Sequence, residues 1–218
     1  MGFSFQGIVG PNVIATDGFQ ANMGLRATRD GSMAFQETHG KYAEAASRGQ
    51  VFHAVVGTAG IALIVSATTG GHPTLWNPSG NVVNGEILSL ELGWISGATA
   101  PTAIYWMLTA NAGSQIGTAA PIVTFTQVAV VNALTNGAAD AQLRFAPATN
   151  TFAAAPAFWK GTGIGLGTGA PTVVPSNITF DYDGKIILAP GNALSLCSQA
   201  ATTTALYAVD ITYLVSRV

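Results

Sequence analysis

The stretch EILSLELGWIS, Glu86 to Ser96, decides the fold class. Read with a period of two, it sets Ile87, Ser89 and Glu91 on one side and Leu88, Leu90, Leu92 and Trp94 on the other. Side chains alternate across a strand, so this is a strand with one strongly apolar face. The run LYAVDITY near the end repeats the pattern: Leu206, Ala208, Asp210 and Thr212 oppose Tyr207, Val209, Ile211 and Tyr213. From Val51 onward come further β-branched or aromatic runs, such as VFHAVVGT, GIALIVSATT, AIYWMLTAN, PIVTFTQVAVVN, NITFDYD, GKIILAP and NALSLCSQ. Gly, Pro, Asn or Thr bounds each of them. About ten strands with no helix of about ten residues between them predict an all-β fold, an antiparallel sandwich. Broken rhythm and long loops argue against a regular up-and-down barrel, and the jelly roll is the sandwich expected at this size. Three segments read as loops: 68–81, 110–121 and the glycine-rich 160–171.

Residues 1–34 have no clean period, and turn signals stand at 10–12, 16–18 and 29–31. They read as an extended N-terminal arm. A charged stretch follows, in which Glu37–Lys41 and Glu44–Arg48 are i,i+4 pairs with the acid first. At about 0.2–0.5 kcal/mol each, such pairs support one or two helical turns, or an irregular linker, ended by Gly49. The domain reading is an arm and linker over 1–50 and a jelly-roll body over 51–218.

Charged residues make up 8% of the 218-residue chain, against roughly 25% in typical globular proteins. Between Gln50 and Ala139 only Glu86 and Glu91 are charged. So little charge suits a surface covered by copies of the chain or by a partner. A net charge of −2 with scattered Lys and Arg offers no field for nucleic acid. The apolar window 54–68 is too short to span a bilayer, and the start lacks a signal-peptide pattern.

Nothing in the spacing points to catalysis, so the chain is read as no enzyme, with no cofactor and no metal. His39, His53 and His72 share no metal-ligand spacing. Asp181 and Asp183 in DYDG stand at i and i+2, a weak calcium signal beside the plainer reading of a tight turn at Asp183-Gly184. The glycines at 161, 163, 165, 167 and 169 precede prolines rather than a helix, which excludes a phosphate loop. Cys197 falls on the Ser195 side of its strand and reads as a packed thiol; Ser195 and Ser198 lack a nucleophile elbow.

Three phrases carry a resemblance: ETHGKYAEAASRGQVF (37–52), LWNPSG (75–80), and the ending DYDGKIILAPGNALSLCSQAATTTALYAVDITYLVSRV (181–218). In their order along residues 33–218 they resemble virion proteins of tailed bacteriophages, and among these the capsid decoration, or cement, proteins. The resemblance implies a trimeric jelly-roll protein, made in the host bacterial cytoplasm. It would clamp the major capsid protein from the outer capsid surface, and it brings no catalytic residues. Arg26, Arg29, Asp30, Glu37, His39, Lys41, Tyr42, Glu44 and Arg48 are then the expected partner-binding residues, with arginine supplying bidentate bonds. The alternative is a receptor- or carbohydrate-binding module of a spike, fibre or tail, with Trp76 or Trp159 stacking on sugar.

Overall fold

The computed structural model describes residues 26–27, 33–34, 40–97, 102–166, 178–200 and 205–217. The chain divides into two units, 1–40 and 41–218. Within the first, β1 (Arg26–Ala27) and β2 (Met33–Ala34) pair antiparallel, Arg26 opposite Ala34. The rest of the expected arm lies outside the described residues.

The second unit begins with one helical turn, α1 (Ala43–Ser47). Arg48 reaches back to Glu44, as the spacing predicts. Gly49 ends the turn at φ 69, a left-handed conformation that costs glycine little. Among the described residues twelve strands follow: β3 (Val51–Val55), β4 (Thr74–Asn77), β5 (Val83–Ser96), β6 (Thr102–Thr109), β7 (Ile122–Phe125), β8 (Val131–Asn132), β9 (Arg144–Ala146), β10 (Asn150–Phe152), β11 (Ala157–Leu166), β12 (Ile178–Leu188), β13 (Asn192–Ser198) and β14 (Leu206–Arg217). One sheet runs β12-β5-β14-β3-β8 and the other β11-β6-β13-β4-β9. All their strand pairs are antiparallel. The fold is the expected all-β sandwich.

Alternation places the core between the sheets. Leu75, Ile104, Trp106, Phe145, Leu194 and Leu196 come from one sheet; Leu90, Leu92, Val209, Ile211 and Tyr213 come from the other. Burying each such side chain contributes about 1.5–3 kcal/mol. The final strand keeps the predicted alternation from Tyr207 to Tyr213. In β5 the pattern slips: Ile87 is fully buried in the core rather than beside Ser89 and Glu91. The cause is a register shift, with Thr212 opposite Ser89 and Tyr213 opposite Ile87, so that Leu88 is the extra residue of a bulge.

Three further expectations change. DYDG is no turn between strands but a bulge inside β12, where Asp181 opposes Ser89 and Ile186 opposes Ile87. Asp183 and Gly184 take φ 52 and 76 there. The extra residues drive Tyr182 inward, where Trp106 Nε1 donates to its hydroxyl at 2.9 Å. The expected loop 68–81 contains β4, wholly buried between Pro73 and Pro78, which sit just outside the ladder where a missing N–H is harmless. The glycine-rich segment is no loop up to Leu166: it continues β11, an edge strand with one neighbour among the described residues.

A second apolar cluster lies on the far side of the β11-β6-β13-β4-β9 sheet. Trp76, Ala146 and Ala193 point away from the main core and meet Ile122, Phe125 and Phe152 of the β7/β10 ladder. Residues of that ladder thus cover the outer face of one sheet. No helix among the described residues is long and apolar enough to cross a membrane.

Candidate functional site

Of the nine expected partner-binding residues, the side chains of Arg26, Arg29, Asp30, Glu37 and His39 lie outside the described residues. The other four divide into two surface groups. Lys41 Nζ binds Asp183 Oδ1 at 2.9 Å, and Tyr42 donates to the same oxygen at 3.1 Å. This hydrogen bond from Lys41 holds the Asp183 carboxyl below its usual range. The β12 bulge is therefore fastened to the residues just before α1. Glu44 and Arg48 pair with each other, Arg48 beside a groove of about 500 Å³ that Arg217 also lines.

Trp76 is no sugar platform. It is fully buried, donates to Gly113 O at 3.2 Å and lies under the Arg144 guanidinium at 4.9 Å. Trp159 is 40% exposed and its neighbour Phe158 64% exposed, both on the edge strand β11. Phe158 meets Tyr105 of β6 edge to face, with centroids 5.4 Å apart. Ala153, Ala154, Ala155 and Ala157, also exposed, extend this patch along the chain.

Beneath the β7/β10 cover sits a buried polar cluster. Asn150 accepts from the His72 N–H and donates to the His72 carbonyl at 2.6 Å. Thr74 and Ser195 hydroxyls meet at 2.8 Å. His72 Nε2 lies 2.9 Å from the Thr68 carbonyl, which can only accept, so that nitrogen carries the proton. Nδ1 is then the acceptor for the Cys197 thiol at 3.3 Å. Burial pushes the Cys197 thiol up to about 12 and lowers His72. Nucleophilic catalysis needs the opposite shift at sulfur. The pair is a neutral hydrogen bond that ties the 68–74 segment to β13, and Cys197 is a packed thiol, as its strand face predicts.

The outer face of the other sheet carries a different group. Glu91 of β5 stands directly opposite Asp210 of β14. His53 Nδ1 of β3 lies 3.2 Å from Asp210 Oδ2 and 3.1 Å from the Thr212 hydroxyl. Asp210 Oδ1 is buried with no hydrogen-bond partner. Burial first, and then the Glu91 charge, raise the Asp210 carboxyl above its usual range, against the pull of His53. The alternation of β14 did set Asp210 on the outer face, but the sequence does not give the register that brings Glu91 and His53 to it.

No group of three or more His, Cys, Asp or Glu side chains among the described residues is arranged to hold a metal ion. What the described residues offer is surface: an apolar open edge, and an acidic patch on a bare sheet face. No family model matches the sequence, and no curated protein or solved structure matches it.

Proposed function

We propose that this chain is a structural virion protein, a decoration protein that binds the outer surface of a phage capsid and stabilises it as a homotrimer. The body would be a jelly roll. In support, its eight principal strands are dealt between sheets as β12-β5-β14-β3 and β11-β6-β13-β4, the order of two interleaved Greek keys. The observation that carries the functional reading is the open edge at β11, where Ala157, Phe158 and Trp159 are exposed. Proteins normally blunt an edge strand with charge, proline or a cover, because its free backbone groups recruit other chains. Lys160 is the one charge on this edge's described side chains. The opposite edge, at β8, exposes Val131 and Leu134. Two unlike apolar edges on opposite sides of a sandwich favour head-to-tail contacts, which close into a trimeric ring when each copy is turned by a third of a circle from the last. Binding to assembled shells and not to free subunits would stabilise the shell by mass action, and several copies per oligomer would add avidity.

Sedimentation velocity tests the oligomer and co-sedimentation with capsids tests the role. The wild type is expected to run as a trimer, Phe158→Asp with Trp159→Asp as a folded monomer. Deleting 1–34 should leave the trimer but abolish shell binding. A wild type that stays monomeric at high concentration, or shells that ignore it, overturns the proposal. The exposure of Trp159 favours the alternative, a glycan-binding module; binding to a glycan array that is lost in Trp159→Ala would establish it instead.

A further inference from the structure

The groove of about 500 Å³ beside β8 is built by the fold. β3 starts at Val51, opposite Leu214, so Ser216 and Arg217 at the end of β14 pair only with β5 among the described residues. Phe52, Val83 and Val215 line the hollow that this leaves. Its far wall is the 134–142 loop, which is pinned at both ends. Asn132 accepts from the Leu134 N–H at 2.8 Å and donates to the Ala138 carbonyl at 3.0 Å. Asp140 accepts from the Tyr213 hydroxyl at 2.8 Å and from the Gln142 N–H at 2.7 Å. The Asp140 carboxylate is thus engaged inside the fold, and the other charges on the groove are the guanidinium groups of Arg48 and Arg217. Arg48 is held by Glu44, whereas Arg217 is exposed and has no ion pair among the described residues.

The edge at β11 carries a side chain that fits this groove. Phe158 pairs with Met107 and Lys160 with Trp106, which leaves Trp159 as the extra residue of a bulge. A bulge on an edge strand re-aims a side chain. Phe158 rests on Tyr105, but Trp159 makes no ring contact among the described residues. An indole is flat and apolar, and its faces attract guanidinium. The groove supplies an apolar floor with guanidinium beside it. Its volume lies within the range of about 300–1,000 Å³ found for pockets that take small ligands. Association energy concentrates where a tryptophan fills such a pocket on its partner.

We propose that the groove beside β8 is the receptor for Trp159 of a neighbouring copy of this chain, the indole lying over Phe52, Val83 and Val215 with Arg217 against its face. The inference rests on the trimer reading and specifies its contact: a knob at one edge and a socket at the other, repeated head to tail around the ring.

The test is complementation in sedimentation velocity. Trp159→Asp removes the knob, and Leu134→Asp with Arg217→Glu spoils the socket; all three positions are exposed. Each variant alone should run as a monomer with the wild-type urea midpoint. Mixed in equal amounts, the two chains keep one intact knob and one intact socket between them. They should form a one-to-one dimer that grows no further, because the ring cannot close. Arg217→Ala, too mild a change to unfold the chain, should weaken trimer association by about tenfold, the loss expected for one cation–π contact. A wild-type trimer that survives the socket variant, a mixture that stays monomeric, or association undiminished in Arg217→Ala overturns this contact and leaves the trimer reading standing. Variants that remain trimers but no longer co-sediment with shells would assign the knob or the socket to the shell contact, and overturn the proposal too. A wild type that stays monomeric overturns both readings.

Discussion

The two sheets of this sandwich have the same alternation, yet their outer faces differ in kind. On one, Ser195 and Cys197 of β13 lie under the β7/β10 cover, and most polar atoms described there have found a partner: Thr74 with Ser195, Cys197 with His72, Asn150 with His72; the exception is the Thr109 hydroxyl beside Ala193, buried with no partner. On the other, Asp210 lies half-buried with one oxygen orphaned and Glu91 opposite it. A face covered by its own chain is under pressure to satisfy its polar groups at the moment of folding, because each one left unpaired costs stability. The difference is therefore one of degree: the nearly finished face leaves one neutral hydroxyl unpaired, the open face a carboxylate oxygen.

Several measurements would break or sharpen this contrast. The largest effect concerns Cys197. With burial raising its thiol to about 12, alkylation by iodoacetamide at neutral pH should run about a thousandfold slower than for an ordinary thiol, and become fast in denaturant. Rapid labelling of the native protein would mean the cover is loose. Next comes Asn150→Ala, which strips the His72 N–H and carbonyl of their partner in a closed space. A loss of about 3 kcal/mol is expected in urea unfolding. A loss under about 1 kcal/mol would show that water enters and that the two faces are alike.

His72 gives the covered face a pH signature. Its folded pKa is lowered, so the unfolded chain takes up the proton first as pH falls. Stability is then complete above about 6.5 and declines below it toward the folded value. The urea midpoint should drop between pH 7.5 and 5.5, and His72→Asn should flatten that slope.

The smallest effect belongs to the bare face. Asp210 has a raised folded pKa, so its ionised form costs stability, a cost that grows as pH rises through its unfolded value toward the folded one. Asp210→Asn at pH 7 should be neutral or stabilising by less than about 1 kcal/mol. Clear destabilisation would mean the His53–Asp210 pair is structural and the face is finished after all.

Individual elements show how far the residues could be read in one dimension. The strand class, the inward set of β14 and the face of Cys197 were legible, because strand period alone fixes which side chains share a side. The burial of Ile87 was not, since one bulge reverses the alternation beyond it and is chosen by the pairing partner. Nor was β4: four residues between two prolines read as loop until β9 and β13 flank them. Of the expected site residues, Lys41 and Tyr42 found an unforeseen partner in Asp183, more than 140 positions away. The Glu91–Asp210–His53 group was invisible for the same reason, as it depends on the register of three strands drawn from across the chain.

By itself the sequence determined the all-β class, the apolar and polar sides of its long strands, and a composition poor in charge. These follow from local steric periodicity and composition, which every residue carries with it. Tertiary structure alone decided which outer face is covered, which carboxylates meet, and where a sheet surface sinks. Those are properties of strand register and packing, and they come into being only when distant segments are held side by side.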